Sequence, residues 1–207
     1  MKKRINLALF LLLAIIFMSL SKENYNTQTV NEKINRSYKI EAGSVITWKA
    51  LHNKDSDFAH IGTVDITEGT IAVTENDLVS GEVIFDITTI KKTGKETQWT
   101  LKLENHLKDH DFFNVKLFPN SKFTINKYEK NIVTGSLEIL GISNEISFPI
   151  DITINSTELH AKGEFKINLL PFKMKKLVAA ESLSEDKKLD APSPFITFEV
   201  DIKAAIE

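Results

Sequence analysis

The chain has 207 residues, 42% hydrophobic and 26% charged, with a formal net charge of −2. That balance suits one globular domain and excludes an intrinsically disordered chain. There is no cysteine, which excludes a disulfide framework, a thiol nucleophile and a lipid anchor carried on cysteine. Phenylalanine, at 13 against 3 Tyr and 2 Trp, weights the interior toward apolar rings.

The chain opens on Lys2, Lys3 and Arg4, followed by an apolar run from Leu7 to Met18 and the exit Ser19-Leu20-Ser21. A basic start, a short apolar run and a small-residue exit predict a secretory signal peptide over residues 1–21. The run is shorter than the ~20 apolar residues of a membrane span. The expected mature protein is therefore periplasmic or secreted, with no integral membrane span. Losing residues 1–21 removes three positive charges and no negative ones, moving the balance from −2 to −5. An acidic chain without a basic cluster is a poor partner for nucleic acid. Lys173, Lys175 and Lys176 form the one positive knot, read here as a solvated loop.

Residues 22–36 lack periodicity and predict a linker; residues 37–207 then form a single domain. Short alternating runs follow, broken by Gly, Asn, Asp or Pro. They are Ser44–Leu51, Thr63–Ile66, Gly69–Val73, Leu78–Ile87, Ser121–Lys127, Asn131–Leu140 and Leu159–Leu169. Two are cleaner. In Glu145–Ile154, residues Ile146, Phe148, Ile150, Ile152 and Ile154 share one side. In Phe195–Lys203, residues Ile196, Phe198, Val200 and Ile202 oppose Thr197, Glu199, Asp201 and Lys203. Successive strand side chains point to opposite faces, so each run has an apolar and a polar face. Gly141-Ile142-Ser143-Asn144 reads as a hairpin turn, and Pro149 on the polar side of its run marks an edge or bulge. Many half-buried strands at short spacing predict an all-β sandwich or antiparallel barrel.

Glu96–His110 breaks the strand pattern. Trp99, Leu103 and Leu107 recur at four-residue steps, which places them on one side of a short helix, capped by Thr97 or Thr93. A single helix in an all-β chain suits a lid or plug over one end of a barrel. Met174–Ser193 reads as a long charged loop.

Motifs of catalysis are missing: no G-x-S-x-G elbow and no glycine-rich phosphate loop is present. His106 and His110 stand four apart, on one face of the expected helix, with Glu104, Asp109 and Asp111 nearby. Such a spacing can hold zinc, but H-E-x-x-H is absent, and capping or polar packing of the helix end is the preferred reading. His52 and His60 flank the Asn53–Asp57 loop and read as solvated, although either is placed to meet a polar head group. His160 opens a strand and suggests nothing. No catalytic residue, metal site or cofactor is expected, and the chain is read as no enzyme.

Phe58–Val64 (Phe-Ala-His-Ile-Gly-Thr-Val) and Gly81–Asp86 (Gly-Glu-Val-Ile-Phe-Asp) resemble the opening strands of the YceI-like, polyisoprenoid-binding family. The likeness is strongest at Leu103–Val115 (Leu-Glu-Asn-His-Leu-Lys-Asp-His-Asp-Phe-Phe-Asn-Val), where the family has its HL…DFF signature. Phe118-Pro119, Phe123, Val133–Leu137 and Leu140–Pro149 continue the pattern in order, and the resemblance covers roughly residues 38–203. It implies an extended, antiparallel, lipocalin-like β-barrel with one short helix, whose interior holds a long-chain isoprenoid such as a quinone or polyprenyl phosphate. Family members often carry an Arg near the end of the penultimate strand; here Lys166 or Asn168 stands near that position.

On that reading the lipid-lining residues are Phe85, Phe123, Ile125, Leu137, Ile139, Phe148, Ile150, Ile152, Phe165, Ile167, Phe198 and Val200. The competing reading is an exported stress or interaction protein. In that case these side chains fill a dry core and the loop Lys173–Pro194 is the binding surface. A homodimer is compatible with exposed sheet edges.

Overall fold

A computed structural model of the chain describes residues 35–52, 59–75 and 77–207. The expected leader, and the 22–36 stretch up to residue 34, lie outside the described residues. Asn35 and Arg36, assigned to the linker by composition, begin the first strand. Ten strands carry the fold: β1 (Asn35–Ile40), β2 (Val45–His52), β3 (Ala59–Thr74), β4 (Asp77–Lys92), β5 (Asn120–Glu129), β6 (Ile132–Ile139), β7 (Ile142–Pro149), β8 (Asp151–Ile154), β9 (Glu158–Asn168) and β10 (Pro192–Ile206). They form one sheet in the order β7-β6-β5-β4-β3-β1-β10-β9-β8, with β2 also pairing β3 and β10. Every pairing among the described residues is antiparallel.

Two short-strand pairs determine how the sheet turns back on itself. β1 and β2 both bridge the long strands β3 and β10, β1 at one end (Tyr38 opposite Ile71 and Ile206) and β2 at the other (Trp48 opposite Gly62 and Phe198). β7 and β8, the two ends of the sheet order, are separated in the chain by Ile150 alone. The single run Glu145–Ile154 expected from alternation is thus one extended segment that changes partner. It pairs β6 through Pro149 and β9 from Asp151. The proline, which has no N–H for a ladder, ends the first pairing. The apolar positions of this run keep to one side through the change: Phe148 and Ile150 are buried, and Ile146, Ile152 and Ile154 pack against the same core.

The runs Thr63–Ile66 and Gly69–Val73 belong to one strand, β3. Its ladder with β4 shifts register between Ile66 and Glu68. Before the bulge the buried positions are even (His60, Gly62, Val64, Ile66); after it they are odd (Gly69, Ile71, Val73). An extra residue flips the alternation, which is why the sequence shows two runs where one strand exists. The β6–β7 turn is tighter than the expected 141–144. Ile139 pairs with Ile142, leaving Leu140 and Gly141 as the loop, with φ of 56° and 71°. Consecutive positive φ values make a hairpin turn whose twist matches the strands. Lys130 and Asn131 (φ 52° and 61°) repeat the device between β5 and β6.

Among the described residues there are three α-helical segments where one was expected: α1 (Gln98–Lys108), α2 (Lys175–Glu181) and α3 (Glu185–Lys188), with a 3₁₀ turn at Leu170–Phe172. The stretch 174–193 is therefore no simple charged loop. Phe172, Met174 and Leu177 are buried to 3% exposure or less and pin it to the core; charge on its outer face hid this in the sequence. No helix among the described residues is long and apolar enough to cross a membrane.

Candidate functional site

Residues from all ten strands, together with α1, α2 and the turns beside them, line one apolar cavity of about 420 Å³. The sheet is wrapped round this space as a barrel. Each of the twelve apolar positions selected from alternation faces it: Phe85 on β4, Phe123 and Ile125 on β5, Leu137 and Ile139 on β6, and Phe148 on β7. Ile150 follows at the junction, with Ile152 on β8, Phe165 and Ile167 on β9, and Phe198 and Val200 on β10. Four phenyl rings run across one wall. Phe123 and Phe148 lie 5.5 Å apart, Phe148 and Phe165 stack at 3.8 Å and 16°, and Phe165 and Phe198 lie 6.0 Å apart. The central stack joins β7 to β9, which have no ladder between them. Aromatic packing covers a seam that hydrogen bonds leave open.

On five neighbouring strands the lining stops at one layer. On β1, Ile40 lines it, whereas Tyr38, the next side chain on the same face, does not; on β3 the same holds for Ile71 and Val73. Ile202 and Ala204 on β10, Ala161 and Leu159 on β9, and Ile152 and Ile154 on β8 repeat the step. Tyr38, Leu159 and Ala204 are wholly buried and Val73 is 1% exposed, so this side of the end is closely packed, whereas Leu78, opposite Val73, still lines the cavity. The Tyr38 hydroxyl donates to the Asn155 carbonyl at 2.5 Å, which satisfies the buried phenol.

Polar groups gather at the opposite end. His60, His106, Lys176, Asp190 and Ser193 share in the lining there, where β2 meets the start of β10 (His52 opposite Pro192). α1 forms this rim because Thr97 caps it. Thr97 accepts from the Thr100 amide, and the Thr100 hydroxyl accepts from the Thr97 amide, as a capping box requires. Thr100, Leu103 and Leu107 turn inward. Trp99, expected beside the leucines, is 50% exposed and lays its ring against His60 at 5.1 Å. The Lys176 amide donates to the Asp111 carbonyl at 2.9 Å, tying α2 to the turn after α1.

Four histidine expectations meet different outcomes. His60 is not solvated but buried, at 8% exposure, because the even-numbered face of β3 points inward. His52 lies on β2, and the Asn53–Asp57 loop is outside the described residues. His106 and His110 do not share a helix face: α1 ends at Lys108 with Asp109 as its C-cap. His106 packs edge-on against Phe112 at 5.0 Å, and His110 sits between the Asp109 and Asp111 carboxylates at 3.1 and 3.0 Å. Hydrogen bonds from the His110 amide and ring hold the Asp109 carboxyl below its ordinary range. Among the described residues no group of three or more His, Asp or Glu side chains is placed to hold a metal ion. His160 pairs with Asp201 at 2.6 Å on the outer face.

Lys166 and Asn168 are both exposed; Asn168 spends its side-chain oxygen on the Leu170 amide. Neither supplies a polar group to the interior. Alternation missed the wall built by Leu103, Leu107, Phe112, Phe113, Met174 and Leu177. The four-residue leucine step and the adjacent phenylalanines were its signal, but period two does not detect helix and turn.

The YceI-like domain model matches residues 38–207. A polyisoprenoid-binding domain from Saccharophagus degradans superposes with a TM-score of 0.60 at 11% identity, covering 83% of this chain and 99% of that one. BcnA of Burkholderia cenocepacia gives 0.59 at 15% identity, covering 77% and 95%. At those identities the superpositions establish the fold. No curated protein matches this sequence. With an antiparallel barrel, an apolar interior walled by the Leu103–Val115 segment, and a family match from β1 to the C-terminus, the chain belongs to the YceI-like domain family.

Proposed function

We propose that this protein carries or sequesters a long-chain isoprenoid, such as a quinone or polyprenyl phosphate, in its barrel, outside the cytoplasm, and makes or breaks no bond in it. The observation that carries this reading is the cavity. It is almost wholly apolar, with fully buried side chains behind one end and polar groups at the other, which suits an amphiphile with one long tail. Transfer of each CH₂ from water into such a space is worth about 0.8 kcal/mol, so a few isoprene units supply ample gross driving force, of which ordering and association leave a part. His60, His106, Lys176 and Asp190 offer donors and acceptors for a head group at the rim.

The test is native mass spectrometry of the protein purified from its own host, followed by organic extraction and lipid identification. A copurifying isoprenoid at near one per chain is the expected result. A bare protein that also takes up no quinone or polyprenol overturns the carrier reading and turns attention to the outer surface of residues 173–194.

A further inference from the structure

Building on the carrier reading, we propose that the rim end of the barrel is a docking face for an anionic lipid bilayer, met by the outer surfaces of α1 and of the α2–α3 stretch.

Exposed apolar surface gathers at this end. Seven of the eleven large hydrophobic side chains exposed among the described residues fall in residues 91–117 and 170–196, the two segments that build the rim. α1 presents Trp99, at 50% exposure, and Leu101; the α2–α3 stretch presents Val178, Leu183 and Leu189. Other apolar residues of the same helices, Leu103 and Leu107 on α1 and Leu177 on α2, already wall the cavity. The outward set is a second apolar face, surplus to the packing of the fold, and such a cluster marks an interaction surface.

Charge selects the occupant. The two segments hold eleven lysines against eight acidic residues, net +3, in a chain whose total is −2. Four of those eight acids are already engaged: Asp109 and Asp111 flank His110, Glu104 accepts from the Lys92 amide, and Glu185 pairs with Lys188. Lys102, Lys116, Lys173 and Lys175 are exposed and stand in no ion pair among the described residues. The cations are interleaved with the apolar groups: Lys102 follows Leu101, and Lys175 lies one helical turn from Val178. In that arrangement the apolar tips enter the acyl boundary while the ammonium groups stay among the head groups, and anionic lipid attracts them further. A tail passing from the bilayer into the apolar cavity behind this face never crosses water.

The experiment is co-flotation of the protein, purified from its own host, with vesicles of phosphatidylcholine alone or of phosphatidylcholine with phosphatidylglycerol. Neither contains an isoprenoid, so docking is read apart from cargo; uptake of geranylgeraniol by the free protein is measured in parallel. The expected result is flotation with the phosphatidylglycerol vesicles, about tenfold weaker with phosphatidylcholine alone and weakened by salt. Two double variants, Leu101→Ser with Val178→Ser and Lys102→Glu with Lys175→Glu, each lower the affinity about tenfold or more. Ile206→Ser leaves it unchanged, because Ile206, equally exposed, stands opposite Tyr38 at the other end of the barrel. All of these side chains are on the surface, and circular dichroism checks that the variants fold. No flotation with either vesicle overturns the docking face, and the carrier reading stands if geranylgeraniol is still taken up. Equal flotation with both vesicles, or flotation that the rim variants leave unchanged, also overturns it. A dimer by light scattering that Leu101→Ser with Val178→Ser dissociates gives the face to a second copy, and the proposal falls. Flotation without uptake of geranylgeraniol keeps the docking face and overturns the carrier reading.

Discussion

Gly62 shows how much one position depends on a neighbour far away in sequence. It pairs with Trp48, and a Cβ built on it would lie 2.1 Å from the Trp48 ring and 2.1 Å from the Lys91 carbonyl oxygen. The indole occupies the space a side chain would take. Gly62→Ala is therefore expected to destabilise the fold by about 1–3 kcal/mol through overpacking, read as a lower urea midpoint at unchanged slope. Asp201 is a second local case. It accepts from His160 at 2.6 Å and Lys162 at 3.3 Å, and these hydrogen bonds hold its carboxyl below the ordinary 3.8. The folded chain thus favours the charged form. The stabilisation is complete above that ordinary value and drains away as pH falls through the lower folded one. Asp201→Asn should accordingly lose less Tm between about pH 5 and about pH 3 than the wild type; equal losses would remove Asp201 from the acid limb. The inward faces around such residues were legible, because alternation depends only on strand geometry. The burial of His60 was not, since a polar residue beside a loop carries no mark of which way its strand is turned.

Among the elements, α1 depends most on its own sequence. Thr97 and Thr100 satisfy each other's amides, and Thr97→Ala should cost about 1 kcal/mol. Because α1 walls the polar rim, faster hydrogen exchange across residues 98–108 is the direct readout, with the sheet amides unchanged. Exchange that accelerates throughout the sheet would show that the cap supports the whole fold rather than this element. The helix and one of its two candidate caps could be read from a four-residue apolar step and a threonine. Strand boundaries could not. The bulge in β3 and the change of partner at Ile150 are settled by which strands lie alongside, and a run of alternating residues is the same whether it pairs one neighbour or two in succession.

For the molecule as a whole, the deciding feature is that the inward faces of ten strands leave a space between them. If that space holds a hydrocarbon tail, Phe198→Arg or Phe148→Arg places a guanidinium against it. The charge must be desolvated or the tail displaced, so lipid retention by the folded variant should vanish. Extraction and mass spectrometry check this, and normal retention would refute the placement of those faces. The sequence by itself determined the all-β class, the twelve inward apolar positions, the helix and the family resemblance. All of these follow from local periodicity or from residue order. The tertiary structure alone decided that those positions line one common cavity, that His60 is buried on its wall, and that residues 174–193 help to wall it. Periodicity fixes the direction a side chain points. Whether opposing side chains touch depends on how many strands stand round the ring and how far apart they are held.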